Sequence, residues 1–149
     1  MGGLKIQNSK MKHTNNSKPF SFSFRAVIYD NDGRMLILKR SSKCKEEPGK
    51  WEFSGGKLHR NETFDNALHR EVTEETGLKV DFTRPLGIAE FELDSVKVIC
   101  LMMEGNRIDG QVKLSEEHDE FKWIDSDDLI GMDFVVWFRK FIDSHLRNS

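Results

Sequence analysis

The 149-residue sequence contains only two cysteines, Cys44 and Cys100. Two thiols build neither a disulfide framework nor a four-ligand zinc site, so a reducing, cytoplasmic setting is expected. Long hydrophobic runs are also missing: none approaches the ~20 apolar residues of a membrane span, and the lysines near the start are not followed by the apolar core of a signal peptide. Neither membrane insertion nor secretion is expected. Charge of one sign is not in excess, since 23 Lys+Arg against 25 Asp+Glu leave a formal net charge of -2. The whole molecule therefore has no bulk attraction for a nucleic-acid polymer or an anionic membrane, and an anionic ligand has to be held by local features. No internal repeat is visible.

What remains is the mix of a soluble globular chain, with 37% hydrophobic and 32% charged residues. Residues 1–19 are rich in Asn, Ser, Lys and Gly. Such a segment buries too little to offset its ordering entropy, so a flexible tail is expected there and one domain over 20–149. Phe24, Ala26 and Ile28, then Met35 to Leu38, make two strand-like runs around Asn31-Asp32-Gly33, a hairpin signal. Trp51-Glu52-Phe53 predicts a strand and Ser54-Gly55-Gly56 a glycine turn. A helix is predicted from Asn61 to Thr76, with Asn61 or Thr63 as cap and Gly77 as terminator. Strands are expected at Leu86 to Leu93, Val96 to Met103 and Phe121 to Ile124, and a closing helix carries Phe134, Trp137, Phe138, Phe141 and Ile142 at helical spacing.

The middle helix carries the chemistry. At about 100° per residue Phe64, Ala67, Leu68 and Val72 form a core-facing stripe, Glu71 and Glu75 fall within it, and Glu74 lies on its flank. A solvated acidic patch would tolerate this at a few tenths of a kcal/mol per pair. Partial burial changes the balance, because two like charges 6 Å apart repel by roughly 3 kcal/mol at an effective dielectric near 20. A divalent cation is the stronger remedy, since hard cations select clustered carboxylate oxygens. Gly55 and Gly56 permit close approach of backbone to ligand, and Lys57 beside them suits a di- or triphosphate. Alone, Lys57 would read as an ordinary surface lysine.

Gly56, Glu62 and the run Arg70-Glu71-Val72-Thr73-Glu74-Glu75-Thr76-Gly77-Leu78 fill every defined position of G-x5-E-x7-R-E-U-x-E-E-x-G-U. Seven fixed letters at such spacing arise by chance on the order of once in 10⁶ sequences or less. The segment resembles the Nudix box of the Nudix hydrolases. Around it the resemblance is looser, resting on the hairpin, on Trp51-Glu52-Phe53, and on Trp123 followed by Asp127-Asp128-Leu129. Ser54 stands where many members have proline, a departure that bears on turn rigidity.

The resemblance implies an α/β protein of Nudix fold, an α/β/α sandwich with a curved mixed β-sheet. It implies Mg²⁺ or Mn²⁺ as cofactor, with Glu71, Glu74, Glu75 and the Gly56 carbonyl as ligands and Arg70 and Glu62 bracing them. Members often add a carboxylate shortly before the tryptophan strand; Glu117 is the best match and Glu120 the reserve, although Glu116 to Glu120 also reads as a solvated acidic loop. Arg40 closes the second hairpin strand where MutT-type members carry an arginine near substrate phosphate, or is simply exposed. The implied catalytic set is Glu71, as first choice of general base, with Glu74, Arg70 and Glu117; Lys57 and Arg40 would bind substrate. The histidines lack metal-site spacing and read as incidental. The implied reaction is hydrolysis of a pyrophosphate linkage in a small nucleoside triphosphate, as in MutT-type pyrophosphohydrolases. ADP-ribose or a nucleotide sugar as substrate stays open, as does a non-catalytic nucleotide-binding module. Homodimers are common in the family, so that state stays open too.

Overall fold

Alternation along the first hairpin decides how the sheet is covered. A computed structural model describes residues 18–146. In it Phe24, Ala26 and Ile28 of strand β1 (Phe20–Tyr29) and Leu36 and Leu38 of β2 (Met35–Arg40) are buried with Ala67, Leu68 and Val72 of helix α1 (Phe64–Thr76). The intervening Val27, Met35 and Ile37 pack on the opposite face, against Phe134, Phe138 and Phe141. A period of two thus feeds two cores at once and places a helix on each side of one sheet. The second helix, α2 (Val136–Phe141), runs on into a π-helical turn at Ile142–Leu146.

The hairpin turn is built as its Asp-Gly suggested: Gly33 takes φ 76°, and the Asp30 carboxylate accepts from the Asp32 and Arg34 amides at 2.9 Å. The remaining strands are β3 (Trp51–Glu52), β4 (Ser54–Lys57), β5 (Lys79–Glu92), β6 (Lys97–Asp109) and β7 (His118–Ile124). Among the described residues they form a seven-stranded sheet in the order β3-β2-β1-β6-β5, with β4 also on β1 and β7 also on β2. β1 and β6 run parallel and the other pairs antiparallel, so the sheet is mixed. Register shifts at Lys79/Val80, Phe82/Arg84 and Pro85/Gly87 bend the β5–β6 pair.

Three elements differ from the sequence reading. Ser54-Gly55-Gly56 is not a turn but strand β4, laid antiparallel on β1. There a Cβ on Gly55 would sit 2.0 Å from the Phe24 carbonyl oxygen, so the glycine serves close approach rather than chain reversal. β5 begins seven residues before the expected Leu86, at Lys79. Its Pro85 and half-exposed polar residues mask the pattern, and the bulges that absorb the proline have no local signature. Regular α-helix at the end is shorter than the hydrophobic spacing implied. The tail expected over 1–19 lies, but for Lys18 and Pro19, outside the described residues. No helix among the described residues is long and apolar enough to cross a membrane.

Candidate active site

Helix α1 is fixed at both ends by its own sequence. Thr63 accepts from the Asn66 amide at 3.2 Å, and Gly77, left-handed at φ 70°, returns its N–H to the Thr73 carbonyl at 2.9 Å. With the helix locked by Ala67, Leu68 and Val72 in the core, Glu75 is buried at 2% exposure, Glu71 is half-buried and Glu74 is exposed.

Strand β4 crosses directly over this acidic face. The Gly55 amide donates to Glu75 Oε1 at 3.0 Å. A Cβ on Gly56 would lie 2.5 Å from Glu71 Cδ, so only glycine leaves room for that carboxylate. Arg70 braces the outer side. Its Nη1 donates to Glu71 Oε1 (3.0 Å) and Glu74 Oε2 (3.3 Å), while Nε and Nη2 grip Glu62 at 2.9 and 2.7 Å. A fifth contact, from Nη2 to the Lys57 carbonyl at 3.3 Å, ties the bracket to the end of β4. The hydrogen bond from Arg70 holds the Glu62 carboxyl down at about 2. Burial pushes Glu71 up, although Arg70 opposes it.

On the inner side lies a buried charge network. Glu52 on β3 accepts from Arg40 Nη1 at 3.1 Å, pairs with Arg25 Nη1 at 3.5 Å, and meets His118 Nε2 at 2.7 Å. Burial alone would raise Glu52, but Arg25, the His118 hydrogen bond and Arg40 together hold it below the usual carboxylate range. Glu75 is pushed up to about 8 by burial, against the pull of Arg25 and with the help of Glu52.

Glu71, Glu75 and Glu117 open with Gly56, Arg25 and Arg40 onto a cavity of about 330 Å³. Glu74 joins Glu71, Glu75 and Glu117 around a neighbouring hollow of about 310 Å³. A third cavity, about 370 Å³, shares Arg25, Arg40, Glu52 and Gly56 with the first and extends past Lys57 to Phe91 and Trp137, whose rings stack at 4.2 Å. The fold thus gathers Gly56, Glu71, Glu75, Glu117 and Arg40 at one cavity, puts Glu74 on its rim and Lys57 next door, and uses Arg70 and Glu62 as a bracket. Glu120 pairs with Lys39 at 3.8 Å and lines none of these cavities.

Three members escaped the sequence reading. Arg25 and Glu52 are the charged residues of otherwise uncharged strands, a signal that was available. His118 is not incidental: it is buried at 4% exposure between carboxylates 66 and 43 positions away in the chain. Of the other two box-region histidines, His59 is exposed and His69 rests edge-on against Phe82.

A face of carboxylates thus meets a cradle of cations at one end of the sheet. The chain belongs to the Nudix family: the family model for the NUDIX domain matches residues 19–144. It is similar to the nucleoside triphosphatase NudI of Escherichia coli, at 28% identity over 124 residues, which are 76% of this chain and 88% of that protein. A MutT protein from Methanosarcina mazei Go1 superposes with a TM-score of 0.78 at 35% identity, covering 86% of this chain and 94% of its own. A UDP-X diphosphatase shares the fold at a TM-score of 0.64 and 20% identity, covering 84% of this chain and 59% of its own. The protein is therefore a Nudix hydrolase, of a family of pyrophosphohydrolases that act on phosphoanhydride bonds and generally depend on a divalent metal.

Proposed function

We propose that this protein is a MutT-type pyrophosphohydrolase that cleaves a (deoxy)nucleoside triphosphate with Mg²⁺ or Mn²⁺ as cofactor. The observation that carries the reading is the shared cavity, in which Glu71, Glu75 and Glu117 face Arg25 and Arg40 across Gly56. Carboxylates at such density suit a hard cation, and the guanidiniums suit the phosphate oxygens. The likeness to NudI, named a nucleoside triphosphatase, supports the choice of a triphosphate.

The donor set fits the metal. Burial pushes the Glu71 and Glu75 carboxyls up, which marks carboxylates short of positive charge, and Glu71, Glu74, Glu75 and Glu117 offer only oxygen donors. Gly56, Glu71, Glu74, Glu75 and Glu117 would hold the ion. When bound, it supplies Lewis acidity and neutralises charge on the diphosphate.

The protein's own groups do the rest. Glu71, oriented by Arg70 at 3.0 Å, is placed to accept a proton from an attacking water. Arg70 bridges Glu71 and Glu74 through Nη1 and counters their charge. Arg40, steadied by Glu52 and by the Glu46 carbonyl at 3.1 Å, presents its remaining donors to the phosphates. Lys57 meets the polyphosphate from the adjoining cavity, whose Phe91 and Trp137 provide an apolar wall for the nucleoside.

Glu71→Gln and Glu74→Gln should each lower turnover about 100-fold or more with the fold retained, the scale set by loss of a positioned base or ligand. A panel of nucleotides with Mg²⁺, read by released products, tests the substrate. Pyrophosphate plus a nucleoside monophosphate is the expected pair. AMP plus a sugar phosphate would move the assignment to ADP-ribose or a nucleotide sugar. Tight metal-dependent binding without products would make the chain a binding module, and near-normal rates in both variants would remove the catalytic assignment.

A further inference from the structure

Among the described residues His118 is the one buried histidine, and its two ring nitrogens have different surroundings. Nε2 lies 2.7 Å from Glu52 Oε2. Glu52 is itself ion-paired with Arg25 and Arg40, so its oxygens accept and Nε2 must donate. Nδ1 has no hydrogen-bond partner, although the side chain is only 1% exposed. An imidazole that donates through Nε2 presents a lone pair at Nδ1. That lone pair faces the carboxylates: Nδ1 is 3.5 Å from Glu75 Oε2, and ligand atoms of Glu75, Glu117 and His118 all lie within 4.8 Å of one another.

We propose that His118 Nδ1 is a metal ligand, completing with Glu75 and Glu117 a mixed nitrogen-oxygen site whose imidazole is oriented by Glu52. The proposal rests on the reading that Glu75 and Glu117 hold a divalent cation. Two ligand atoms each about 2.1 Å from one ion sit about 3 to 4.2 Å apart, so the Nδ1 to Glu75 separation needs no rearrangement. Glu52, His118 and the cation would form the carboxylate–histidine–metal chain in which the outer carboxylate fixes the tautomer and raises the basicity of the ligating nitrogen. The fold supports the placement. His118 opens β7 opposite Arg40 of β2, Glu117 precedes it in the chain, and the Glu117 carbonyl accepts the Ser41 amide at 2.9 Å. The loop carboxylate and the imidazole are thereby delivered together to the buried end of α1. An imidazole nitrogen shifts preference away from Mg²⁺, which favours oxygen, toward first-row transition ions, for which affinity rises from Mn²⁺ to Co²⁺.

The test loads the full-length protein with Mn²⁺ alone, without nucleotide, and records its pulsed electron paramagnetic resonance. Modulation from a directly bound ¹⁴N is expected, replaced by the ¹⁵N pattern in protein made with ¹⁵N-histidine and abolished in His118→Gln. Glu52→Gln, which keeps the imidazole but removes its anionic partner, should weaken Mn²⁺ binding about 10- to 100-fold by calorimetric titration. The labelled wild type carries the test even if either variant fails to fold. Bound Mn²⁺ with no histidine nitrogen coupling would overturn the proposal while leaving the carboxylate site standing. No Mn²⁺ binding by the wild type at all would overturn both.

Discussion

Gly56 carries a constraint that its lack of side chain conceals. A methyl group there would lie 2.5 to 2.9 Å from the three atoms of the Glu71 carboxylate, a contact the glutamate could relieve only by turning away. Gly56→Ala should therefore lower turnover at least 10-fold while shifting the melting temperature little, because the strain falls on a movable side-chain end. Thermal melts and steady-state rates, measured side by side, check this; a large loss of stability with normal specific activity would contradict it. Gly55 is a different case, since its methyl would meet the Phe24 carbonyl oxygen of β1 at 2.0 Å, a backbone atom that cannot swing aside. The box glutamates were legible from spacing alone, because helical periodicity converts sequence directly into position. The partners of Arg25, Glu52 and His118 were not, because the Arg25–Glu52 and Glu52–His118 pairs span 27 and 66 residues, and no local pattern encodes them.

Helix α1 is the element on which the site depends, and its end signals were readable. Of the two cap candidates Thr63, not Asn61, caps the start, and Gly77 caps the stop as expected. The Thr63 hydroxyl takes one amide hydrogen bond otherwise left unmade at the helix start, so Thr63→Ala should destabilise the fold by about 1 kcal/mol. Denaturant unfolding of the two proteins measures the difference. The same cap sits next to Glu62, so a loss well above this size would signal that the Arg70 bracket had loosened too. Strand β4 was less legible, because Ser-Gly-Gly has poor strand propensity and is held only by pairing to β1 and by the Gly55 amide bond to Glu75. Tertiary contacts override local preference there, and the override is what lays the strand over the acidic face of α1. The two-faced burial of β1 and β2 was readable as alternation, but which face received α1 and which α2 depended on partners distant in sequence.

At the scale of the whole molecule, a buried cluster of Glu75, Glu52, His118, Arg25 and Arg40 sits where the sheet's interior meets the active-site cavity. Such burial costs stability unless charges are matched, and the mismatch is centred on Glu75. Its carboxyl is pushed up to about 8 in the folded state, chiefly by burial, from an ordinary 4.5. Between those values the folded protein holds a proton that the unfolded chain has released, so metal-free stability falls with rising pH. This contribution is fully present below about 4.5 and lost as pH passes 8. Glu62 acts in the opposite sense: held at about 2 by Arg70, it stabilises above 4.5 and that contribution disappears as pH falls toward 2. Divalent cation should reverse the alkaline loss, since Glu75 would ligate as the carboxylate and binding would expel its proton. Thermal melts from about pH 5 to pH 9, with and without Mg²⁺, are expected to converge at the acidic end and separate increasingly toward the alkaline end. Parallel curves would mean that Glu75 is already ionised in the metal-free protein, and that the neighbouring guanidiniums rather than a cation balance the acidic helix.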